Sequence, residues 1–153
     1  MLKTILVWLS LVTPLFALNQ YKIETYRVID GDTLNALIYL DFDIYVNNSI
    51  RLFNLEAPER NTAAGKSVLK YVELWAGKQT VLWTINLGRD KYAGRFVGKV
   101  YGDTEELNKL LIDNELVKIY DINKPKPKWS AEELEHVRLL ALELTEKLRK
   151  EEK

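Results

Sequence analysis

Between Tyr21 and Phe53 the chain writes three runs of strand period before any stretch of helical period, and that order leaves few packings open to it. From Tyr21 to Ile29 the residues alternate, with Ile23, Thr25, Arg27 and Ile29 on one face and Lys22, Glu24, Tyr26 and Val28 on the other. Thr33 to Leu40 and Ile44 to Phe53 continue the pattern. Asp30-Gly31 and Asn47-Asn48 are turn formers between or within these runs. The reading is three consecutive antiparallel strands.

The period then changes. Ala64, Val68, Tyr71, Val72 and Trp75 follow helical spacing, which predicts a helix from about Thr62 to Ala76 with Gly77 as a left-handed cap. Thr80 to Asn86 and Arg95 to Tyr101 return to strand character, joined by a polar loop holding Gly88, Asp90, Lys91 and Gly94. Asp103-Thr104-Glu105-Glu106 resembles a capping sequence ahead of Leu107, Leu110 and Leu111, and a short strand is expected over Val117 to Tyr120. Prolines 125 and 127 make Asn123 to Lys128 a linker, because each lacks a backbone donor. Ser130 and Glu133 form a capping box for a last helix, whose stripe of Leu134, Val137, Ala141, Leu144 and Leu148 is expected to dock on the rest of the fold; a partner surface is the alternative. This order is α+β. It suits a five-stranded Greek-key β-barrel of the OB type, with about three helices, one inserted between strands three and four.

Met1-Leu2-Lys3 followed by an apolar run from Ile5 to Leu18 has the form of a secretory signal peptide, shorter than the roughly 20 residues of a spanning helix. Residues 1–18 therefore read as a leader cleaved near Ala17, with an uncleaved membrane anchor as the alternative, and 20–153 as one domain. Secretion or delivery to the periplasm or cell envelope follows from either form. Losing Lys3 with the leader leaves about 21 basic against 22 acidic residues, too balanced for nucleic-acid binding by bulk charge. Any positive field must be local.

Cysteine is absent and His136 is the single histidine, so thiolate nucleophiles, disulfides and Cys/His zinc sites are excluded. His136 falls in the charged run Glu132 to Arg138 and reads as a solvated helix-surface residue. Chemistry is left to Asp, Glu, Lys, Arg, Tyr and hydroxyls.

Those types concentrate in three places: Asp30-Gly31-Asp32-Thr33, then Ile50-Arg51-Leu52 leading to Glu56-Ala57-Pro58-Glu59, then Asp90-Lys91-Tyr92-Ala93-Gly94-Arg95. A phosphodiester under attack needs a hard cation held by carboxylate oxygens and guanidinium forks for the charge gathering on phosphorus. Each element alone reads blandly, as a hairpin turn, a strand-end charge or a solvated loop. The ordered set resembles the staphylococcal nuclease (thermonuclease) family over about Tyr21 to Tyr120.

That resemblance implies a calcium-dependent nuclease acting on DNA and RNA, on single-stranded or locally opened substrate, that leaves 3′-phosphate ends. It implies metal ligation by Asp32, by Glu56 where the family usually has aspartate, and by the backbone carbonyl of Ala57. It implies Glu59 as general base toward water, and Arg51 and Arg95 as phosphate contacts that favour the transition state. Lys91 and Tyr92 would touch substrate, as would Tyr120, although Ala93 is an extra residue in the motif and Asp121 holds the strict match to the family tyrosine. Glu115 stands where the family commonly has glycine. The rival readings are a catalytically silent OB module that binds single strands or protein ligands, and an envelope-anchored interaction protein that uses Leu134, Val137, Ala141 and Leu144.

Overall fold

The computed structural model describes residues 19–90, 94–121 and 123–151, with the side chain of Leu87 excepted. The leader, Lys91 and Tyr92 thus lie outside the described residues. Five strands, β1 (Gln20–Asp30), β2 (Thr33–Asp41), β3 (Ile44–Leu52), β5 (Leu82–Arg89) and β6 (Phe96–Tyr101), close into a barrel in the order β1-β2-β3-β6-β5, with β1 also paired to β5. All neighbours are antiparallel except β3 and β6. Two-residue strands β4 (Leu55–Glu56) and β7 (Lys118–Ile119) form a separate ribbon. With helices α1 (Ala63–Gly77), α2 (Leu107–Asp113) and α3 (Ala131–Lys150), the class is α+β, and the closed mixed barrel is consistent with an OB-like fold. Among the described residues no helix is long and apolar enough to cross a membrane.

Alternation explains β2 and β3. Leu34, Ala36 and Ile38 turn inward from β2, and Ile50 and Leu52 from the end of β3, so Arg51 between them must face outward. In β1 the buried residues are Ile23 and Val28, which strict alternation would put on opposite faces. An irregularity in the β1–β2 register between Ile23 and Thr25 adds the residue that brings both inside. The second hairpin also differs from the expectation. Asn47 and Asn48 are not a turn but pair with Leu37 and Ala36 inside β3, while the chain reverses at Asp41-Phe42-Asp43, all three at positive φ.

Helix α1 begins with Thr62, whose hydroxyl accepts from the Gly65 N–H, and lays Ala64, Val68, Tyr71, Val72 and Trp75 into the core. It ends without a left-handed glycine, since Gly77 is the last helical residue and Lys78 caps it in a right-handed conformation. The acidic run before α2 is no side-chain cap; Asp103 instead accepts from the Thr80 and Val81 N–H groups and ties down the start of the β5 segment. Helix α3 has the full capping box of Ser130 and Glu133, and packs chiefly on α1 through Val137, Ala141 and Thr145. His136 is exposed, beside Glu115.

Glu115 occupies the left-handed position of a Schellman turn at the end of α2. The Leu116 N–H reaches the Leu111 carbonyl, the Glu115 N–H reaches Ile112, Glu115 has φ 55°, and both leucines are fully buried. A residue with a Cβ in that conformation costs about 1 to 2 kcal/mol, against the smaller entropic cost of glycine. Glu115→Gly should therefore stabilise the fold by roughly 0.5 to 1 kcal/mol, read as a higher denaturant midpoint at unchanged slope; an unchanged or lower midpoint contradicts the assignment.

Candidate functional site

The register of the barrel gathers residues distant in sequence. Thr33 pairs with Arg51 across β2 and β3, which sets the Arg51 side chain beside the Asp30–Thr33 turn. The parallel pairing of Arg51 with Val97 puts Arg95, two residues before Val97 on the same outward face, at the same side of the barrel. The chain leaving β3 then delivers Glu56 on β4 and Glu59 just beyond Pro58. Asp32, Arg51, Glu56, Ala57, Glu59, Arg95 and Tyr120 all line one cleft of about 400 Å³.

At its centre Arg51 is shared. One guanidinium nitrogen donates to Asp32 Oδ1, and the other donates to Glu56 Oε2 at 2.7 Å and to the Leu55 carbonyl at 2.9 Å. Both carboxylates are nearly inaccessible, each side chain 3% exposed. Asp32 also accepts from the Ala57 N–H at 2.7 Å and the Thr33 hydroxyl at 3.1 Å. Burial pushes the Asp32 carboxyl up to about 8, with neighbouring Asp30 adding to the rise and Arg51 and the Ala57 N–H opposing it.

Glu59 differs in setting. Its carboxylate is 65% exposed, whereas its backbone is fixed: the Glu59 carbonyl accepts from the Thr62 N–H at 2.9 Å and the Thr62 hydroxyl at 2.7 Å. A Cβ at Gly65 would fall 2.1 Å from that same carbonyl oxygen, so glycine is required for the loop to rest on the first turn of α1. Arg95 is paired with Asp90, and its buried Nε has no hydrogen-bond partner among the described residues.

Sequence reasoning missed Lys126. Placed in a linker, it reaches back to the cleft and sets its ammonium 2.8 Å from Glu56 Oε1 and 2.7 Å from Glu59 Oε1, contacts that hold its pKa above the ordinary lysine value. The detectable signal was Pro125-Lys126-Pro127, a lysine whose backbone is stiffened on both sides. Asp30 and Asp90 also line the cleft without having been singled out as site residues. Lys91 and Tyr92 fall outside the described residues.

The donor set suits a hard divalent cation. Asp32 and Glu56 present buried oxygens, and to ligate an ion Asp32 would release the proton that burial holds on it while Glu56 would give up bonds to Arg51 or Lys126. Among the described residues no group of three or more Asp, Glu, His or Cys is arranged as a complete cage. The protein would supply few ligands, leaving the rest to water or substrate oxygens. Comparison with family models and with curated proteins finds no match.

Two outcomes follow. The folded protein keeps the Asp32 proton up to about pH 8 while the unfolded chain releases it near 3.8, so the folded state binds more protons between those values. That contribution is complete below about pH 4 and is lost as pH rises through 8; the stability of wild type relative to Asp32→Asn should fall over this window in melts at stepped pH, and a flat difference contradicts it. Gly65→Ala should cost about 1 to 3 kcal/mol or more in chemical denaturation, because the clash is with backbone. A neutral result would show that the Glu59 loop is free to move.

Proposed function

We propose that this chain is a metal-dependent phosphodiesterase of the thermonuclease type, built on an OB-fold domain and acting on DNA and RNA. The observation that carries the reading is the convergence of two arginines and three acidic residues, drawn from four separate chain segments, on one cleft. Strand order β1-β2-β3-β6-β5, with α1 between the third and fourth barrel strands, supports the OB assignment. The resemblance noted in the sequence supplies the roles.

Asp32 and Glu56 would hold the cation, with the Ala57 backbone adjacent to Asp32. When bound, Ca²⁺ or another divalent ion supplies Lewis-acid polarisation of a phosphate oxygen. Arg51 and Arg95, which line the cleft in contact with Asp32, Glu56 and Asp90, would turn guanidinium donors to the phosphate and favour the transition state as negative charge spreads over its oxygens. Glu59, exposed to solvent on a fixed backbone, is suited to accept a proton from an attacking water. Tyr120 on the cleft wall offers a stacking face to an unpaired base. A leader of the secretory form would place the activity outside the cell or in the envelope.

The second reading is a silent binding module. It is favoured by the neutralisation of Asp32, Glu56 and Glu59 by internal cations. Incubation with denatured DNA and excess Ca²⁺, Mn²⁺ or Mg²⁺, with and without chelator, separates the two: cleavage abolished by chelator supports the enzyme, and chelator-insensitive binding without degradation supports the module. Glu59→Gln should lower turnover by about 10² to 10⁴ while substrate is still bound, and unchanged turnover removes it from the role of base. Arg51→Lys should also be damaging, since an ammonium cannot reproduce a forked contact; full activity in that variant argues against a phosphate role.

A further inference from the structure

Lys126 stands on a segment with few reasons of its own to be ordered. Its side chain is 54% exposed, and fixing a free lysine of that kind gives up the rotamer freedom of a long side chain. Two features reduce the cost of holding it. Pro125 and Pro127 restrict the backbone on either side, and the far end of the strap is pinned where Lys118 Nζ donates to the Lys128 carbonyl at 2.8 Å, pairs with Glu133 at 2.6 Å and lies 4.6 Å from the centre of the Trp129 ring. What the ordering yields is one ammonium bridging the buried carboxylate of Glu56 and the exposed carboxylate of Glu59, 70 and 67 residues away in sequence.

We propose that Lys126 is an internal counter-ion for the cation site, holding Glu56 and Glu59 in the ion-free protein, and that a divalent ion must displace it to bind. The inference rests on the assignment of Asp32 and Glu56 as cation ligands. Glu56 Oε2 is engaged by Arg51 and Oε1 by Lys126, so an ion approaching Glu56 meets an ammonium already at 2.8 Å from one of its oxygens. Two cations drawn to one carboxylate repel each other as well as compete for its lone pairs. The strap over residues 123–128 is thereby coupled to the ion: it closes on the cleft without one and is released with one. Competition of this sort is a coupling free energy, reciprocal between the two occupants.

Calorimetric titration of Ca²⁺ and Mn²⁺ into the full chain decides it. Lys126→Ala and Lys126→Gln should bind the ion about 5- to 50-fold more tightly than wild type, within the usual range for coupled sites. Lys124→Ala, which removes a strap charge that contacts Asp121 instead of the cleft, should match wild type. Unchanged or weaker binding in the Lys126 variants overturns the proposal, as does absence of binding in every protein. If those variants do not fold, acetylation of the wild-type lysines read by mass spectrometry replaces them. Labelling at Lys126 should rise on adding Ca²⁺, and labelling indifferent to saturating ion overturns the proposal. Failure of the nuclease reading looks different: no protein cleaves denatured DNA, while the titrations still rank Lys126→Ala against wild type.

Discussion

The sharing of one guanidinium between two buried carboxylates is the contact on which the cleft depends. Arg51 leaves the outward face of β3, and its fork fastens the turn before β2 to the ribbon that follows β3 through Asp32, Glu56 and the Leu55 carbonyl. Buried ion pairs of this kind are weak sources of net stability, because desolvation offsets most of the attraction, but loss of one partner strands the others. Their value lies in position. An arginine that could choose among several partners on an exposed surface has here a single set, and the same set fixes where Asp32 and Glu56 stand.

Concentration of opposite charges is the second theme of the site. Asp30, Asp32, Glu56, Glu59 and Asp90 line the cleft with Arg51, Arg60, Arg95 and Lys126, and burial, with neighbouring Asp30 adding to it, makes Asp32 hold its proton far above the usual carboxylate range. A chain of balanced total charge has thus gathered acids and bases in nearly equal number around one cleft. Shifts of this kind arise at functional clefts and in structural ion-pair networks alike, and the Arg51 contacts make this site at least the second.

Much of the architecture was legible because strands and helices impose different periods. Leu34, Ala36 and Ile38 alternate cleanly, and Arg51 between Ile50 and Leu52 could only point out of the barrel. Illegible features are those that period does not encode. The irregularity near Ile23 depends on how β1 meets β2, the exclusion of Asn47-Asn48 from the turn depends on strand length set by the partner, and the cap at Gly77 was superseded because Lys78 closes the helix in a right-handed conformation. The cleft residues on or next to regular strands were readable one by one. Lys126 was not, because its place is decided by a chain that returns over 67 residues with no element to signal its direction.

Closure of the barrel has a further consequence. With β1 hydrogen-bonded on both sides, each of the five strands has two neighbours, but β3 meets β6 only over Ile50, Arg51 and Leu52, so among the described strands residues 44–49 of β3, with Ile44 and Tyr45 exposed, are paired on the β2 side alone. An edge of that length is a template to which a foreign strand can add, whereas the two-residue ribbon of β4 and β7 is too short to be one. That ribbon carries Glu56, and with so few ladder bonds its wall of the cleft is held instead by the burial of Leu55 and Glu56 and by the Arg51 contacts to both.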